Sequence, residues 1–267
     1  MNKTEKAKRE IEAIDELNRI SSPYRRLSPL SKLFLTILYI FVTVSFGKYD
    51  IIALSAMIFF PVIAFQFSFI PLTSGLYKLR YILPLVCVLG VFNPFFDKAV
   101  LFSAGALNIT GGVVSMLTLM IKGVFSLLAS FLLIATTPVE EICLALRRLH
   151  CPSILTSLMM LTFRYISVML GEVSVMTQAY SLRAPGKKGI RFPAWGSFLG
   201  QLILRSSDKS QEIYDSMILR GFDGEFAFCA QKKFSKLSAP VALICALLII
   251  SVRVWNIPAL LGRLFIR

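Results

Sequence analysis

Five apolar stretches, residues 31–46, 51–70, 79–96, 112–137 and 239–255, limit what this chain can fold into. Inside a bilayer no water is available to the backbone, so such a segment crosses as a helix that pairs its own amides. About 20 residues at a rise of about 1.5 Å each cover roughly 30 Å of hydrocarbon. Composition agrees: 16% of the residues are charged, where a soluble domain carries about a quarter, and mean hydropathy is +0.71. A soluble enzyme and a disordered tail are excluded. The expected fold is an all-α integral membrane protein of about five transmembrane helices plus a cytoplasmic region of long amphipathic helices.

Residues 1–22 are charged, and Ile11, Ile14, Leu17 and Ile20 mark one narrow apolar stripe that Pro23 stops. They read as a helix near the membrane surface. They have no apolar core of the signal-peptide kind, so the first span is a retained one. The first two spans are separated by a turn, Gly47-Lys48-Tyr49-Asp50. The third is weakened by Pro84 and ended by Asn93-Pro94. The fourth carries Lys122, which has no acidic partner in any span. It is either a functional intramembrane charge or a lysine that snorkels or faces the bundle interior.

Between residues 138 and 238 the character changes, with 13 Lys/Arg and 8 Asp/Glu. Residues 154–176 are apolar enough to pass for a span, but Arg164 and Glu172 would each cost roughly 2–3 kcal/mol at its centre. Topology argues the same way. With the N-terminus inside and residues 154–176 not crossing, 23 basic residues lie inside and 5 outside, Lys122 uncounted. If that segment crosses, the bias weakens, because the basic residues from Arg183 onward move outside. Cytoplasmic loops carry the excess of Lys and Arg. The expected organisation is a cytoplasmic N-terminal segment (1–30), transmembrane helices 1–4 (31–137), a cytoplasmic helical domain (138–238), and a last transmembrane helix with its tail (239–267). The expected location is the inner cell membrane, multi-pass. Residues 154–183 become a long amphipathic helix that starts at Pro152-Ser153 and ends at Ala184-Pro185-Gly186.

Two arginines share a local design. Arg183 falls in the last turn of that helix. Arg220 falls in the last turn of a second helix, roughly 207–220, with Gly221 behind it as a C′ residue. Asp208 and Gln211 suit the start of this second helix as a capping pair, and Ile213 and Met217 give it an apolar stripe. A cation in a last turn is favoured by the helix dipole. Two such ends on apolar-faced helices suit burial in a partner, with each guanidinium paired to a carboxylate.

The segments Ser28-Pro29-Leu30-Ser31-Lys32, Pro138-Val139-Glu140-Glu141, Phe163-Arg164-Tyr165-Ile166, Ser181-Leu182-Arg183-Ala184 and Tyr214 to Gly224 carry a resemblance. Together they resemble the transmembrane T subunit of energy-coupling factor (ECF) transporters, closest to the cobalt-type CbiQ branch, from about residue 20 to 255. The family's short Ala-Arg-Gly coupling motifs correspond here to Leu182-Arg183-Ala184, which departs on both flanks, and Leu219-Arg220-Gly221, which departs at its first residue. The resemblance implies a non-catalytic subunit with no catalytic residue, no bound metal and no cofactor of its own. ATP and Mg would be used by two cytoplasmic ABC ATPase subunits. A separate substrate-binding membrane S subunit, cobalt-type, would hold the cargo. Cobalt ion is the implied cargo, with nickel or a vitamin as alternatives.

The remaining motifs fit that reading. No GxxxxGK[ST] phosphate loop occurs, and Gly186-Lys187-Lys188-Gly189 does not make one. An intramembrane enzyme would need clustered carboxylates or histidines near a span; Asp223-Gly224-Glu225 is the close acidic pair and reads as a polar turn. A passive channel has no need of paired helix-end arginines. The partners are membrane lipid and protein subunits, not nucleic acid, because the basic residues lack interleaved exposed aromatics. Five cysteines without a CxxC read as reduced. His150 beside Cys151, seven residues from Cys143, is either a transient metal site or part of a basic loop.

Overall fold

A computed structural model describes residues 22–71, 73, 75, 80, 84, 86–88, 90–92, 100–104, 107–184, 189–223 and 238–255. The expected N-terminal stripe helix, much of the third span and the C-terminal tail lie outside the described residues. So do Pro185, Gly186, Lys187, Lys188, Gly224 and Glu225. The chain divides into two compact units, residues 17–138 with 232–267, and residues 139–231 with 1–16. The described residues have the expected all-α membrane architecture, with one small β-hairpin added.

In the first unit, helix α1 is Pro29–Val44. Ser28 starts it: its Oγ accepts from the Ser31 backbone N–H at 3.3 Å, and Pro29 follows at the first helical position, where its missing N–H costs nothing. Leu35, Tyr39 and Val42 line its buried face, while Phe34, Ile37 and Phe41 point outward. A helix apolar on both faces suits a bilayer. Ile51–Ser55 (α2) and Phe59–Ser68 (α3) are joined by a tight turn, Ala56–Ile58. The cause is Pro61, which has no N–H to give the Met57 carbonyl four residues back. The Tyr39 hydroxyl donates to that freed carbonyl at 3.0 Å, and the Tyr39 ring stacks on Phe60. The described residues of the third span, 80, 84, 86–88, 90 and 91, are helical. The hairpin, β1 (Val100–Ala104) with antiparallel β2 (Leu107–Thr110), leads into helix α4, Gly111–Thr136. Alternation over four or five residues was too brief to signal it in the sequence. Helix α8, Ser238–Trp255, completes the unit.

Helix ends hold these elements together. The last carbonyls of any helix lack an internal partner. Lys122 of α4 donates its Nζ to the Val44 carbonyl at 3.1 Å and to that of Phe46, at the end of α1. Arg253 of α8 donates to Ser45 O at 3.1 Å and lies over the Phe46 ring. At the other end of the same antiparallel pair, fully buried Lys32 of α1 donates to Thr136 O at 3.2 Å, the end of α4. Lys122 therefore faces the interior and caps a neighbouring helix. Glycine allows close approach: a Cβ on Gly123 would meet Val86 Cγ1 at 2.9 Å, so α4 and the third span pack nearly backbone to side chain.

In the second unit, α5 is Val139–Arg148, with Glu140 and Glu141 in its first turn and Arg147 and Arg148 in its last, each sign matched to the helix dipole. His150 takes a left-handed backbone (φ 63°), and Cys151 N–H donates to Leu146 O at 3.2 Å, which closes the helix. Helix α6 follows, Ser153–Arg183, as the sequence predicts within a residue. Like α4, it is long and apolar enough to cross a membrane by length and composition.

Replacing Tyr39 by Phe leaves the Met57 carbonyl buried without its donor. The expected loss is about 1–3 kcal/mol, read as a lower thermal unfolding midpoint of the detergent-solubilised protein. Lys122→Met is expected to lower that midpoint as well.

Candidate coupling site

Helix α7 is Trp195–Ile218, so it begins twelve residues before the expected start near 207. The turn Phe192–Ala194, with Pro193 at its start, nucleates it. Gly196 and Gly200 dilute helix propensity over that stretch, and the polar Asp208 looked like the stronger cap. Asp208 and Gln211 instead lie within the helix, and Gln211 Nε2 donates to Asp215 Oδ1 at 3.1 Å. Ile213 and Met217 are half-buried, while Tyr214 and Ile218 form the exposed apolar strip near the end of α7.

Both predicted arginines sit at helix ends. Arg183 is the last residue of α6, and the Ala184 N–H still donates to Tyr180 O at 3.0 Å. After Ile218 the chain runs through Leu219 and Arg220 in a closing turn. Gly221 (φ 82°) donates to Ile218 O at 2.9 Å, and Phe222 N–H donates to Met217 O at 3.0 Å. This bond pair is the Schellman closure, and it needs a residue free to adopt the left-handed region. Gly221 is that residue, and the closure fixes where Arg220 projects.

The residues beside the arginines are the less expected part. Leu182 is 82% exposed and Leu219 is 88% exposed. Neither guanidinium has a side-chain partner among the described residues. Each end thus presents a bare leucine next to an uncommitted cation. In the sequence both leucines are legible only as motif positions; their exposure follows from the last helical turn having no neighbour among the described residues.

The two helices are braced to each other. Arg205 Nη1 and Glu172 Oε2 pair at 2.9 Å, and the Arg191 backbone N–H donates to Tyr180 Oη at 3.3 Å. The start of α7 therefore lies by the end of α6, and the helices run antiparallel. Arg183 and Arg220 fall at opposite ends of this hairpin. Eleven residues beyond the brace on one helix and fifteen on the other, at about 1.5 Å each, separate the tips by roughly 30–40 Å. Glu172 and Arg164, read in the sequence as obstacles to a membrane crossing, thus have different settings: Glu172 is ion-paired, and Arg164 is exposed.

Among the described residues no three His, Cys, Asp or Glu side chains are grouped to hold a metal ion. Cys87, Cys143, Cys151 and Cys245 are free thiols. Cys143 is buried in α5, and burial, followed by the nearby Glu140 charge, raises its pKa.

The model of the cobalt transport protein family CbiQ matches residues 21–228. The chain belongs to the CbiQ cobalt transport protein family. Its long apolar helices fit a membrane protein. It is 32% identical over 92 residues to the nickel permease LarQ of Lactiplantibacillus plantarum, covering 34% of this chain and 33% of that protein. It is also 32% identical over 108 residues to an uncharacterized protein of Methanocaldococcus jannaschii, covering 40% and 39%. A second uncharacterized protein of that organism is 23% identical over 163 residues, covering 60% and 53%. The chain spans about a third to a half of the length of the curated relatives it matches.

The Glu172–Arg205 pair is partly exposed, so its coupling in a double-mutant cycle with Glu172→Gln and Arg205→Gln is expected at about 0.2–1 kcal/mol and falling with salt. Maleimide should label Cys151 well before Cys143 in the folded protein at mildly alkaline pH, because the thiolate is the nucleophile and burial disfavours it.

Proposed function

We propose that this chain is the T subunit of an ECF-type importer. It transmits the motion of two cytoplasmic ABC ATPase subunits to a separate substrate-binding membrane subunit. The observation that carries this reading is the pair of exposed Leu-Arg ends on one braced helix hairpin, 182–184 and 219–221, set far enough apart to engage two separate bodies. A lever needs stiff rods and joints that stay closed during the stroke. Helices α6 and α7 are the rods. At each joint the leucine fills an apolar socket and the arginine pairs with a carboxylate in bidentate fashion.

In this scheme the N-terminus and residues 138–238 are cytoplasmic, and α6 lies along the membrane face instead of crossing. The excess of basic residues in that region supports the assignment. Catalysis belongs to the ATPase partners and cargo recognition to the membrane partner. The cargo is a divalent transition metal. Cobalt follows from the family's name, and nickel is the second reading, favoured by the relative named a nickel permease.

Truncating one partner of a buried interfacial charge pair costs on the order of 2–5 kcal/mol, a loss of at least about 30-fold in affinity. Arg183→Glu and Arg220→Glu are therefore each expected to abolish co-purification of ATP-hydrolysing subunits and metal uptake together. Assembly and uptake that survive both reversals would refute the coupling role.

A further inference from the structure

The junction between α6 and α7 has a surface that ATPase coupling does not use. Phe192 is 90% exposed, the most exposed large apolar side chain among the described residues. Trp195 follows three residues on and Leu199 four residues after that, and both are exposed. Four residues is close to one helical turn, so they share one face of α7, and Ile203 extends it. The face is firmly mounted. Gly189 (φ 82°) turns the chain, Arg191 is tied to Tyr180, Pro193 opens the Phe192–Ala194 turn, and Trp195 packs edge-on against Phe198. Phe192 is therefore held outward on a rigid support and not merely left on a loose loop.

The charge directly beside Phe192 is positive. Between Glu172 and Asp208 the sequence holds five basic residues, one of which, Arg205, is committed to Glu172. Of these, Arg191 directly precedes Phe192 and is exposed. Tryptophan with phenylalanine, next to an exposed guanidinium, is the chemistry of a membrane interface: rings at headgroup depth, the cation on phosphate. An acidic protein groove would satisfy the cations but leave a bare aromatic face to fill. A bilayer accepts both, and this chain already stands in one.

We propose that the α6–α7 junction is a lipid anchor. Phe192, Trp195 and Leu199 insert at the surface of an anionic leaflet, and Arg191 pairs with its headgroup phosphates. The occupant is anionic phospholipid, and the anchor holds the Arg183 end of the hairpin at a fixed depth.

The chain has two tryptophans, Trp195 and Trp255, so Trp255→Phe in the full-length protein leaves Trp195 as the sole reporter. This protein is reconstituted into phosphatidylcholine vesicles with and without phosphatidylglycerol. The expected result is that brominated acyl chains quench Trp195 in the anionic vesicles, whereas aqueous iodide does not. Adding Arg191→Gln and Phe192→Ser should raise iodide quenching severalfold. Free access of iodide with no bromolipid quenching overturns the proposal. So does protection that arises only when ATPase subunits are added, which would make the occupant a protein. Equal bromolipid quenching in neutral and anionic vesicles overturns the headgroup recognition. None of these readings depends on transport, so the anchor and the coupling role stand or fall separately.

Discussion

The membrane unit rests on an exchange of cations between two antiparallel helices. Helix α1 places Lys32 at the carbonyl end of α4, and α4 places Lys122 at the carbonyl end of α1. Helix C-termini carry partial negative charge and orphan carbonyls. In an apolar surrounding those groups are costly to leave alone, and so is an unpaired ammonium. Each element meets the other's need without a carboxylate in the span. Arg253 adds a third helix to the same end. Around these contacts the apolar core, with Leu35, Leu54, Phe125 and Ala129, assembles on a fixed register.

Tyr39 plays the same part for a proline. Pro61 interrupts the helix after the first loop, and its cost would be a bare carbonyl at Met57. A tyrosine from α1 reaches across to satisfy it. Polar side chains in this unit therefore serve mainly backbone groups that helix geometry has stranded, which is how discontinuous helices become tolerable inside a bilayer. Thr36, Thr43, Thr118 and Thr136 instead satisfy their own hydroxyls, each donating to the carbonyl four residues earlier in its helix.

Much of this was legible in the sequence. Ser28-Pro29 announces the start of α1, and Ser153 to Arg183 can be bounded within a residue because prolines flank both ends. Gly221 is legible as the closing residue behind Arg220. What was not legible depends on groups that carry no letter. The partner of Lys122 is a pair of backbone carbonyls more than seventy residues away, so a search for acidic residues in the spans could not find it. The start of α7 was hidden by two glycines, and its true packing face became visible only once Arg205 met Glu172. The family resemblance located the two arginines, but nothing in the letters tells an exposed leucine from a buried one.

Those two leucines have a consequence for the chain's life in the cell. Single exposed aliphatic side chains are common on protein surfaces, but each of these two stands at a helix end beside an arginine. An unaccompanied copy would carry two sticky tips, visible to chaperones and proteases and removed once joints form over them. Its abundance would then follow that of whatever covers the tips, a form of stoichiometric control written into surface chemistry and needing no dedicated regulator.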